Sequence, residues 1–444
     1  MEKLFKLKAH GTSVGKEIVA GLTTFMTMAY ILAVNPQILS ATGMDAGALF
    51  TATAIAAAIA TICMAFFANY PIALASGMGL NAFFAFGIVL GGGYSWQIAL
   101  TAVLIEGLIF ILLALFKFRE KIVNAIPNNL KLAITAGIGL FIAVVGMNNT
   151  GFFVADGGLL SGGAFTSPQT VLAFVGIVVI AILLKAKVKG AVLLGILATW
   201  LLAMGAQLIG WYVPNPDAGV YSVIPSAVAS MPPSISSIFF KFDFAGAWKL
   251  GLDFVLVVFA FLMVDMFDTV GTLVGVAKQA NLLDKDGKLP KAGRALMADA
   301  VGTTAGACLG VSTVTSYIES AAGVGVGGRT GLTSLSTAFF FLLALFLSPL
   351  FLTIPGFATA PALIVVGVMM MKAVKSIDWE DYSIAIPAFL AIIFMPMTYS
   401  IANGILIGFL AYTLIKVFTG KAKDVSIIIY VVDVLFILKL LFVK

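Results

Sequence analysis

Long apolar runs follow one another along almost the whole chain, separated only by short polar patches. Each run approaches the roughly 20 apolar residues that an α-helix needs to cross the hydrocarbon core of a bilayer. Of the 444 residues, 61% are hydrophobic and 10% are charged, whereas soluble domains carry about 25% charged residues. Because a soluble core cannot absorb so much apolar surface, we predict an all-α polytopic membrane protein with a single membrane domain.

The charged residues and the cysteines exclude several classes of function. The net charge of +6 comes from bases in short patches between apolar runs, which indicates positive-inside bias and not a nucleic-acid partner. Cys63 and Cys308 lie in apolar segments at no metal spacing, and the single histidine, His10, lies in the N-terminal tail. We therefore expect no metal and no cofactor. The first apolar run reaches Asn35-Pro36 without a cleavage site, so we predict a retained helix and insertion into the plasma membrane.

The spacing of the apolar runs predicts fourteen membrane-spanning segments. The first seven lie near 17–36, 50–67, 71–90, 96–117, 128–147, 168–186 and 190–212. After the Pro- and Ser-rich linker 213–245, the second seven lie near 248–275, 295–309, 311–331, 333–351, 359–374, 382–397 and 400–418. The tail 425–444 is apolar but carries Asp433 and Lys439 in its interior, which is compatible with a helix lying at the membrane interface.

The basic residues test this count, because an error of one segment would scatter them over both faces. With a cytoplasmic N-terminus they concentrate in cytoplasmic loops. These residues are Lys117, Arg119, Lys121, Lys185, Lys187, Lys189, those between Lys278 and Arg294, Lys372, Lys375, Lys416, Lys421 and Lys423. The outer loops 36–49, 148–167 and 352–358 contain no Lys or Arg, and the linker contains only Lys241.

Seven segments in each half force the second half to insert upside down, an inverted repeat typical of transporters. Segments three and ten are both interrupted by glycine and polar residues. In the first, an extended run within 69–81 leads through two glycines into an apolar helix, 82–90. In the second, β-branched and hydroxylic residues within 311–320 precede a glycine-dense run, 321–328. Because strand edges cannot face lipid, we expect the two strands to pair inside the protein. The N-termini of the two half-helices would then offer free N–H groups to a ligand.

Three acidic residues in the spanning segments are candidates for function. Glu319 falls where the second strand should turn into its half-helix, and it is either a binding residue or a helix-capping carboxylate. Asp265 and Asp268 are three residues apart on one helical face, and two carboxylates so close together favour a bound proton. Alternatively, Asp268 braces its helix through Thr272. We expect Asp265, Asp268 and Glu319 to couple transport to protons.

Other polar and aromatic residues have both a functional and a structural interpretation. Asn81, near the start of the first half-helix, can offer a donor and an acceptor to a planar heterocycle, or can act as an N-cap. Phe83, Phe84 and Tyr30 could stack on a flat ligand or pack against lipid. The remaining candidates are Glu106 and Asp299, which either brace helices or function in binding, and Arg329, which marks a cytoplasmic segment end.

Three long strings, at 79–86, 265–273 and 315–331, resemble the AzgA-like purine nucleobase permeases of the nucleobase-ascorbate transporter class. His10-Gly-Thr and the strings 29–36 and 399–404 extend the resemblance over nearly the whole chain. It implies a bacterial purine:proton symporter with the seven-plus-seven uracil-transporter fold. It also implies a substrate-holding core, 17–117 and 248–351, and a gate, 119–212 and 354–418, that forms a homodimer contact.

The resemblance also implies which residues act. The essential residues of that family fall on Asn81, Asp265 and Glu319, with Asp268 in support, and we add Thr315, Ser320 and Phe83 as substrate-binding candidates. Guanine and hypoxanthine are the expected substrates, with an adenine-specific permease as an alternative. An anion transporter on the same fold stays open because half-helix N-termini attract sulfate or bicarbonate. An intramembrane hydrolase using the two aspartates of segment eight is a further rival, although we expect no enzyme.

Overall fold

In the computed structural model the described residues are 2–115, 126–156, 159–215, 220–280, 282 and 289–442. The predicted basic cluster Lys117, Arg119 and Lys121 lies outside them. The elements of the first half are α1 Glu2–Phe5, α2 Val14–Met28, α3 Ile31–Ser40, α4 Ala46–Phe67, β1 Leu74–Ser76, α5 Met78–Ala82 with its continuation Phe83–Leu90, α6 Trp96–Leu115, α7 Asn128–Asn149, β2 Phe153–Asp156, β3 Leu159–Gly162, α8 Pro168–Lys185 and α9 Ala191–Leu208.

The second half of the chain repeats this pattern of long helices around a short strand. Its elements are α10 Phe244–Lys249, α11 Leu252–Gln279, α12 Ala292–Leu309, β4 Val314–Ser316, α13 Ser320–Val326, α14 Gly331–Ala344, α15 Ser348–Thr353, α16 Gly356–Met370, α17 Tyr382–Met397, α18 Ile401–Phe418 and α19 Ile427–Phe442. The predicted and observed bounds of segment thirteen coincide at 382 and 397.

Within the described ranges, nine helical stretches are long and apolar enough to cross a membrane. They match predicted segments one, two, four to seven, eleven, twelve and fourteen. Segments three and ten are broken as predicted. Helix α17, which corresponds to segment thirteen, has 16 residues and is shorter than each of the nine stretches. The chain is therefore a predominantly helical multi-pass membrane protein, and the count of fourteen spans stays a prediction.

Segment one differs from the prediction of one uninterrupted helix over 17–36. The structure divides it into α2 and α3, with a turn at Ala29 and Tyr30. The N–H groups of Leu32 and Ala33 donate to carbonyls three residues earlier, which tightens the chain at this point. Pro36 lies inside α3 and does not end the segment. Hydropathy could not reveal the turn, because both sides of it are equally apolar.

The C-terminal helix α19 packs against α18. Asp433 is buried, and its Oδ2 accepts a hydrogen bond from the Thr413 hydroxyl of α18. The acid is therefore buried against a neighbouring helix that bonds one of its two oxygens, while Oδ1 has no hydrogen-bond partner among the described residues. An interfacial position for the tail stays a prediction, but Asp433 no longer supports it.

The two interrupted segments cross in the interior, and the predicted pairing of their strands is confirmed. Strands β1 and β4 are antiparallel, with Leu74 opposite Ser316 and Ser76 opposite Val314. Each strand leaves one edge unpaired by the other. The Thr61 hydroxyl of α4 accepts from the Leu74 N–H at 2.9 Å and donates to its carbonyl at 3.1 Å. This hydroxyl bonds both backbone groups of Leu74 at that edge of β1.

The outer edge of β4 is closed in the same way. The Thr303 hydroxyl of α12 accepts from the Val314 N–H at 3.2 Å and donates to its carbonyl at 3.0 Å. Thr61 and Thr303 belong to predicted segments two and nine, which are equivalent positions in two seven-segment halves. The matched hydroxyls are the arrangement expected of an inverted repeat.

The remaining helices pack in two groups. In one, α4 contacts α12, α14 and α3, and α2 contacts α13 and α14. In the other, α7 contacts α16 and α17, and α8 contacts α9 and α16. That these two groups act as core and gate stays a prediction. Movement of one group against the other stays a prediction.

The linker 213–245 is tied to both groups. Near its start, the Val223 carbonyl accepts from the Trp200 indole of α9 at 2.7 Å. Further on, the Pro233 carbonyl accepts from the Thr51 hydroxyl of α4, and Ser230 bonds to Ser348. The linker therefore spans the face on which α9 ends and α4 begins.

We expect Thr61→Val and Thr303→Val each to destabilise the protein by about 1–3 kcal/mol, the cost of leaving buried polar groups unsatisfied. The measurement is the thermal unfolding midpoint in detergent. Thr304→Val is the matched control, because the Thr304 hydroxyl bonds only along its own helix, to Ala300 O. Equal midpoints for all three variants would contradict the role given to the two hydroxyls.

Candidate functional site

The first half-helix begins where the backbone of β1 meets β4 and α7. The Gly77 N–H donates to the Thr313 carbonyl at 2.9 Å, and the helix starts at Met78. A Cβ at Gly77 would lie 3.0 Å from the Thr315 hydroxyl, and one at Gly79 would lie 2.8 Å from a methyl of Ile138. Glycine at these positions lets β4 and α7 approach the helix start closely.

A cavity of about 110 Å³ lies in front of this helix start. Its polar lining includes Thr135, Asp268, Thr272, Thr315, Ser316, Tyr317 and Glu319. Its apolar side includes Ile138 and Ile142 of α7 and Val366 and Met370 of α16. The cavity therefore lies between the crossed strands, α11 and the helices of the second packing group.

Glu319 lies immediately before α13, at the predicted transition from strand to half-helix. Its side chain makes no capping hydrogen bond to that helix, so the capping interpretation is wrong. Instead, Oε1 accepts a hydrogen bond from the Tyr30 hydroxyl at 2.6 Å, and the residue lines the cavity. The turn between α2 and α3 places Tyr30 at this position. The carboxylate is thus held from one side and presented to the cavity on the other.

Asp268 also lines the cavity, from α11. It is half-buried, and the Thr315 hydroxyl of β4 is hydrogen-bonded to it. Thr315 itself is buried and lines the same cavity. The structure thus brings together three of the residues predicted from sequence, Asp268, Thr315 and Glu319.

Asp265 occupies a different environment from Asp268. It is completely buried and is not among the residues lining the cavity. The Thr269 hydroxyl lies 3.4 Å from Asp265 Oδ1 and 2.9 Å from both carboxylate oxygens of Asp299 on α12. These groups form a polar contact between α11 and α12. Direct contact of Asp265 with a substrate stays a prediction.

Asn81 and Ser320 lie behind the cavity wall. Asn81 is inside α5, whose N-cap is Gly77, so the N-cap interpretation of Asn81 is wrong. Its Oδ1 accepts from the Ser76 hydroxyl at 2.7 Å, and within the described part of the chain its Nδ2 has no hydrogen-bond partner. The Ser320 hydroxyl accepts from the Ala73 N–H at 3.0 Å. Both side chains therefore fix the geometry where the strands meet the half-helices.

Phe83 is fully buried and packs against Phe261 of α11, with 4.9 Å between the ring centroids. It is not among the residues lining the cavity. The ring holds the first half-helix against α11. Stacking of Phe83 on a ligand stays a prediction.

Two tyrosines have contacts that the sequence did not reveal. The sequence indicated stacking on a ligand or packing against lipid for Tyr30, whereas its hydroxyl donates a hydrogen bond to Glu319. The Tyr317 hydroxyl donates to the Ser76 carbonyl at 2.5 Å, across the strand crossing, and Tyr317 lines the cavity. Tyr30 lies in the string 29–36 and Tyr317 in the string 315–331, both of which carry the family resemblance. A local sequence pattern does not indicate hydrogen-bond partners so distant along the chain.

A buried acid missed by the sequence analysis anchors the end of the second half-helix. Glu17 of α2 accepts hydrogen bonds from the hydroxyls of Thr330 and Thr333 and from the Arg329 N–H. The Arg329 guanidinium donates to the Val324 and Gly328 carbonyls at the end of α13. Arg329 therefore lies at the end of this segment, as predicted, and the cytoplasmic position of that end stays a prediction.

Comparison with known proteins supplies the family. The Xan_ur_permease model, described as "Permease family", matches residues 15–421. The guanine/hypoxanthine permease PbuG of Bacillus subtilis is 46% identical over 459 residues, covering 100% of both chains. The adenine permease AdeP of Escherichia coli is 43% identical over 444 residues, covering 100% of this chain and 96% of that protein.

A solved structure shares the fold. The transmembrane domain of a cyanobacterium bicarbonate transporter, BicA, superimposes with a TM-score of 0.62 at 16% identity, covering 88% of this chain and 96% of that one. At this identity the likeness concerns the fold alone. The relatives cover the full length of the chain, and the resemblance to nucleobase permeases found in the sequence is confirmed. The chain belongs to the Xan_ur_permease family and is a permease, a multi-pass membrane transport protein.

Proposed function

We propose that the protein imports a purine nucleobase together with a proton across a bacterial plasma membrane, with its N-terminus in the cytoplasm. The observation that carries this proposal is the cavity in which the carboxylates of Glu319 and Asp268 face the start of the first half-helix. The relatives named as guanine/hypoxanthine and adenine permeases support a purine as the substrate.

The cavity offers the groups that a purine requires. Carboxylates accept charge-assisted hydrogen bonds from ring N–H groups, and Glu319 and Asp268 supply two such acceptors. The first N–H groups of the helix that runs from Met78 to Leu90 lack partners within that helix and can donate to ring nitrogens or a carbonyl oxygen. The apolar side chains of Ile138 and Val366 flank the remaining space and suit the faces of a flat ring.

Proton coupling follows in this proposal from the same carboxylates. Two acids that share a small, largely apolar cavity resist carrying two negative charges, which favours a bound proton. The neutral hydroxyls of Tyr30 and Thr315 hold Glu319 and Asp268 in place without neutralising them. Asp265 is the third candidate carrier, and its contact with Thr269 would let it respond to movement between α11 and α12.

The position of the cavity suggests how it would open. Its walls come from the proposed core, 17–117 and 248–351, and from the proposed gate, 119–212 and 354–418. Movement of the core against the gate would expose the cavity alternately to each side of the membrane. A homodimer formed through the gate would hold the gate still while the core moves.

The rival functions fit the cavity less well. An anion transporter shares the fold, but in the part of the chain that the structure describes the cavity is lined by two acids and by no Lys or Arg. A hydrolase would need its two aspartates in one cleft, whereas Asp268 lines the cavity and Asp265 lies between α11 and α12. An adenine-specific permease stays the alternative, with guanine and hypoxanthine favoured by the resemblance of the sequence strings.

The test is uptake of labelled hypoxanthine into proteoliposomes with an imposed proton gradient. We expect a protonophore to collapse accumulation, unlabelled guanine to compete, and sulfate to leave uptake unchanged. Unlabelled adenine in the same panel decides between the two purine classes. Accumulation that ignored the proton gradient would refute symport, and competition by sulfate would favour the anion transporter.

Replacing Glu319 with glutamine should weaken hypoxanthine binding by at least roughly tenfold, because a hydrogen bond to a charged group is worth about 1.5–3 kcal/mol. Equilibrium binding of labelled hypoxanthine to detergent-solubilised protein measures the effect. Glu380→Gln is the matched control, since Glu380 is exposed in the loop before α17. Equal affinities for the two variants would remove Glu319 from the site.

Tyr30→Phe should weaken hypoxanthine binding by roughly threefold to tenfold, because the lost hydrogen bond of about 1 kcal/mol frees Glu319 to leave its binding orientation. The same binding assay applies. Tyr382→Phe is the control, because Tyr382 is 75% exposed at the start of α17. Unchanged affinity of Tyr30→Phe, with stability intact, would show that Tyr30 does not position Glu319.

A further inference from the structure

The interface between the two packing groups contains cavities at both of its ends. Helix α16 lines the substrate cavity with Val366 and Met370 near its C-terminus. Near its N-terminus it lines a second cavity, of about 280 Å³, with Thr359, Ala360 and Leu363. A third cavity, of about 540 Å³, adjoins the second, since both are lined by Gln37, Asn149 and Gly356. The third is also lined by the linker, which the basic-residue pattern places on the outer face.

Gln37 of α3 lies between these two outer cavities and bonds across the interface. Its Nε2 donates to the Ile354 carbonyl, at the start of the proposed gate range 354–418. Its Oε1 accepts from the Thr359 hydroxyl of α16. Both polar atoms of the Gln37 amide thus bond α3 to residues around the start of α16. Thr359 is buried and Gln37 is half-buried, so these bonds are largely shielded from water.

We propose that Gln37 is the latch that keeps the outer side of the transport pathway closed. The proposal rests on movement of the core against the gate. When the outer side opens, α3 separates from α16, and both bonds of the amide must break. When it closes, the amide is satisfied again by Ile354 and Thr359.

The chemistry of this contact suits a reversible closure. A neutral hydrogen bond contributes about 0.5–1.5 kcal/mol net, because water replaces it when it breaks. Opening toward the outer cavity admits that water to both sides of the broken contact. A buried ion pair would instead leave two unpaired charges and hold the pathway shut. The amide therefore biases the equilibrium toward the closed state without preventing opening.

The test measures the access of a membrane-impermeant maleimide to single cysteines. Both native cysteines, Cys63 and Cys308, are free and are first replaced by alanine. The outer reporter is Ala360→Cys, because Ala360 is 1% exposed and lines the cavity beneath the latch. The inner reporter is Thr135→Cys, in the substrate cavity, labelled from the cytoplasmic side in inside-out vesicles. Ser226→Cys, in the exposed linker, normalises the amount of outward-facing protein.

The latch is broken from either side with nearly isosteric changes, Gln37→Leu or Thr359→Val. Gln37→Leu removes both hydrogen bonds and should raise labelling of the outer reporter by at least roughly fivefold. Thr359→Val removes one of the two and should raise it by roughly twofold to tenfold, and both variants should lower labelling of the inner reporter. The double variant should show little more than Gln37→Leu alone, since that change already removes both bonds. Gln169→Leu is the matched control, an amide of α8 beside the larger outer cavity.

Each outcome decides the question. A rise at the outer reporter with a fall at the inner reporter supports the latch. A rise at both reporters indicates a loosened fold and overturns it, as does an unchanged rate or an equal effect of Gln169→Leu. The assay contains neither purine nor proton gradient, so failure of purine uptake refutes the proposed substrate and leaves this result standing. Normal purine uptake with unresponsive reporters refutes the latch alone.

Discussion

The crossing of two short strands in the interior governs the rest of this structure. In the hydrocarbon region no water is available to bond an exposed N–H or carbonyl group, so a broken helix is tolerated only where other protein groups complete its hydrogen bonding. Strands β1 and β4 satisfy each other on one side. Thr61 and Thr303 close the opposite edges at Leu74 and Val314. With those groups satisfied, the two half-helices can begin near the middle of the protein and face a common cavity.

Close packing supports the same crossing. Membrane helices associate through small residues that allow backbones to approach. A Cβ at Gly302 would lie 2.6 Å from Ala60, and one at Gly323 would lie 2.6 Å from the Ala20 carbonyl. Glycine therefore brings α12 against α4, and the second half-helix against α2. These contacts fix the positions of Thr61 and Thr303 at the strand edges and of Glu319 in the lining of the cavity.

The buried acids divide into groups with different partners. Glu319 and Asp268 line the cavity, each with one neutral hydroxyl beside it. Asp265 and Asp299 share Thr269 between two helices, and Glu17 holds the residues that follow α13. An acid whose bonds are shared with neighbouring helices stabilises packing. An acid with one bond and an open side can receive a ligand or a proton.

The residue pattern alone determined the class of the protein, the bounds of most segments and the two broken helices. It could do so because hydropathy, helix length and glycine-rich interruptions are local properties of the chain. The bounds 382–397 and the pairing of the two extended stretches in segments three and ten were predicted from such signals, whereas the register of that pairing was not. The strings around Asn81, Asp265 and Glu319 also sufficed to identify the family.

Only the tertiary structure decided which of the predicted residues meet in one place. Asp265 and Asp268 are three residues apart, yet one lies between helices and the other in the cavity. Tyr30 and Glu319, and likewise Gln37 and Thr359, are brought together across hundreds of residues. A hydrogen bond needs its two atoms within about 3 Å and well aligned, which depends on how the helices pack. Neither composition nor periodicity carries that information.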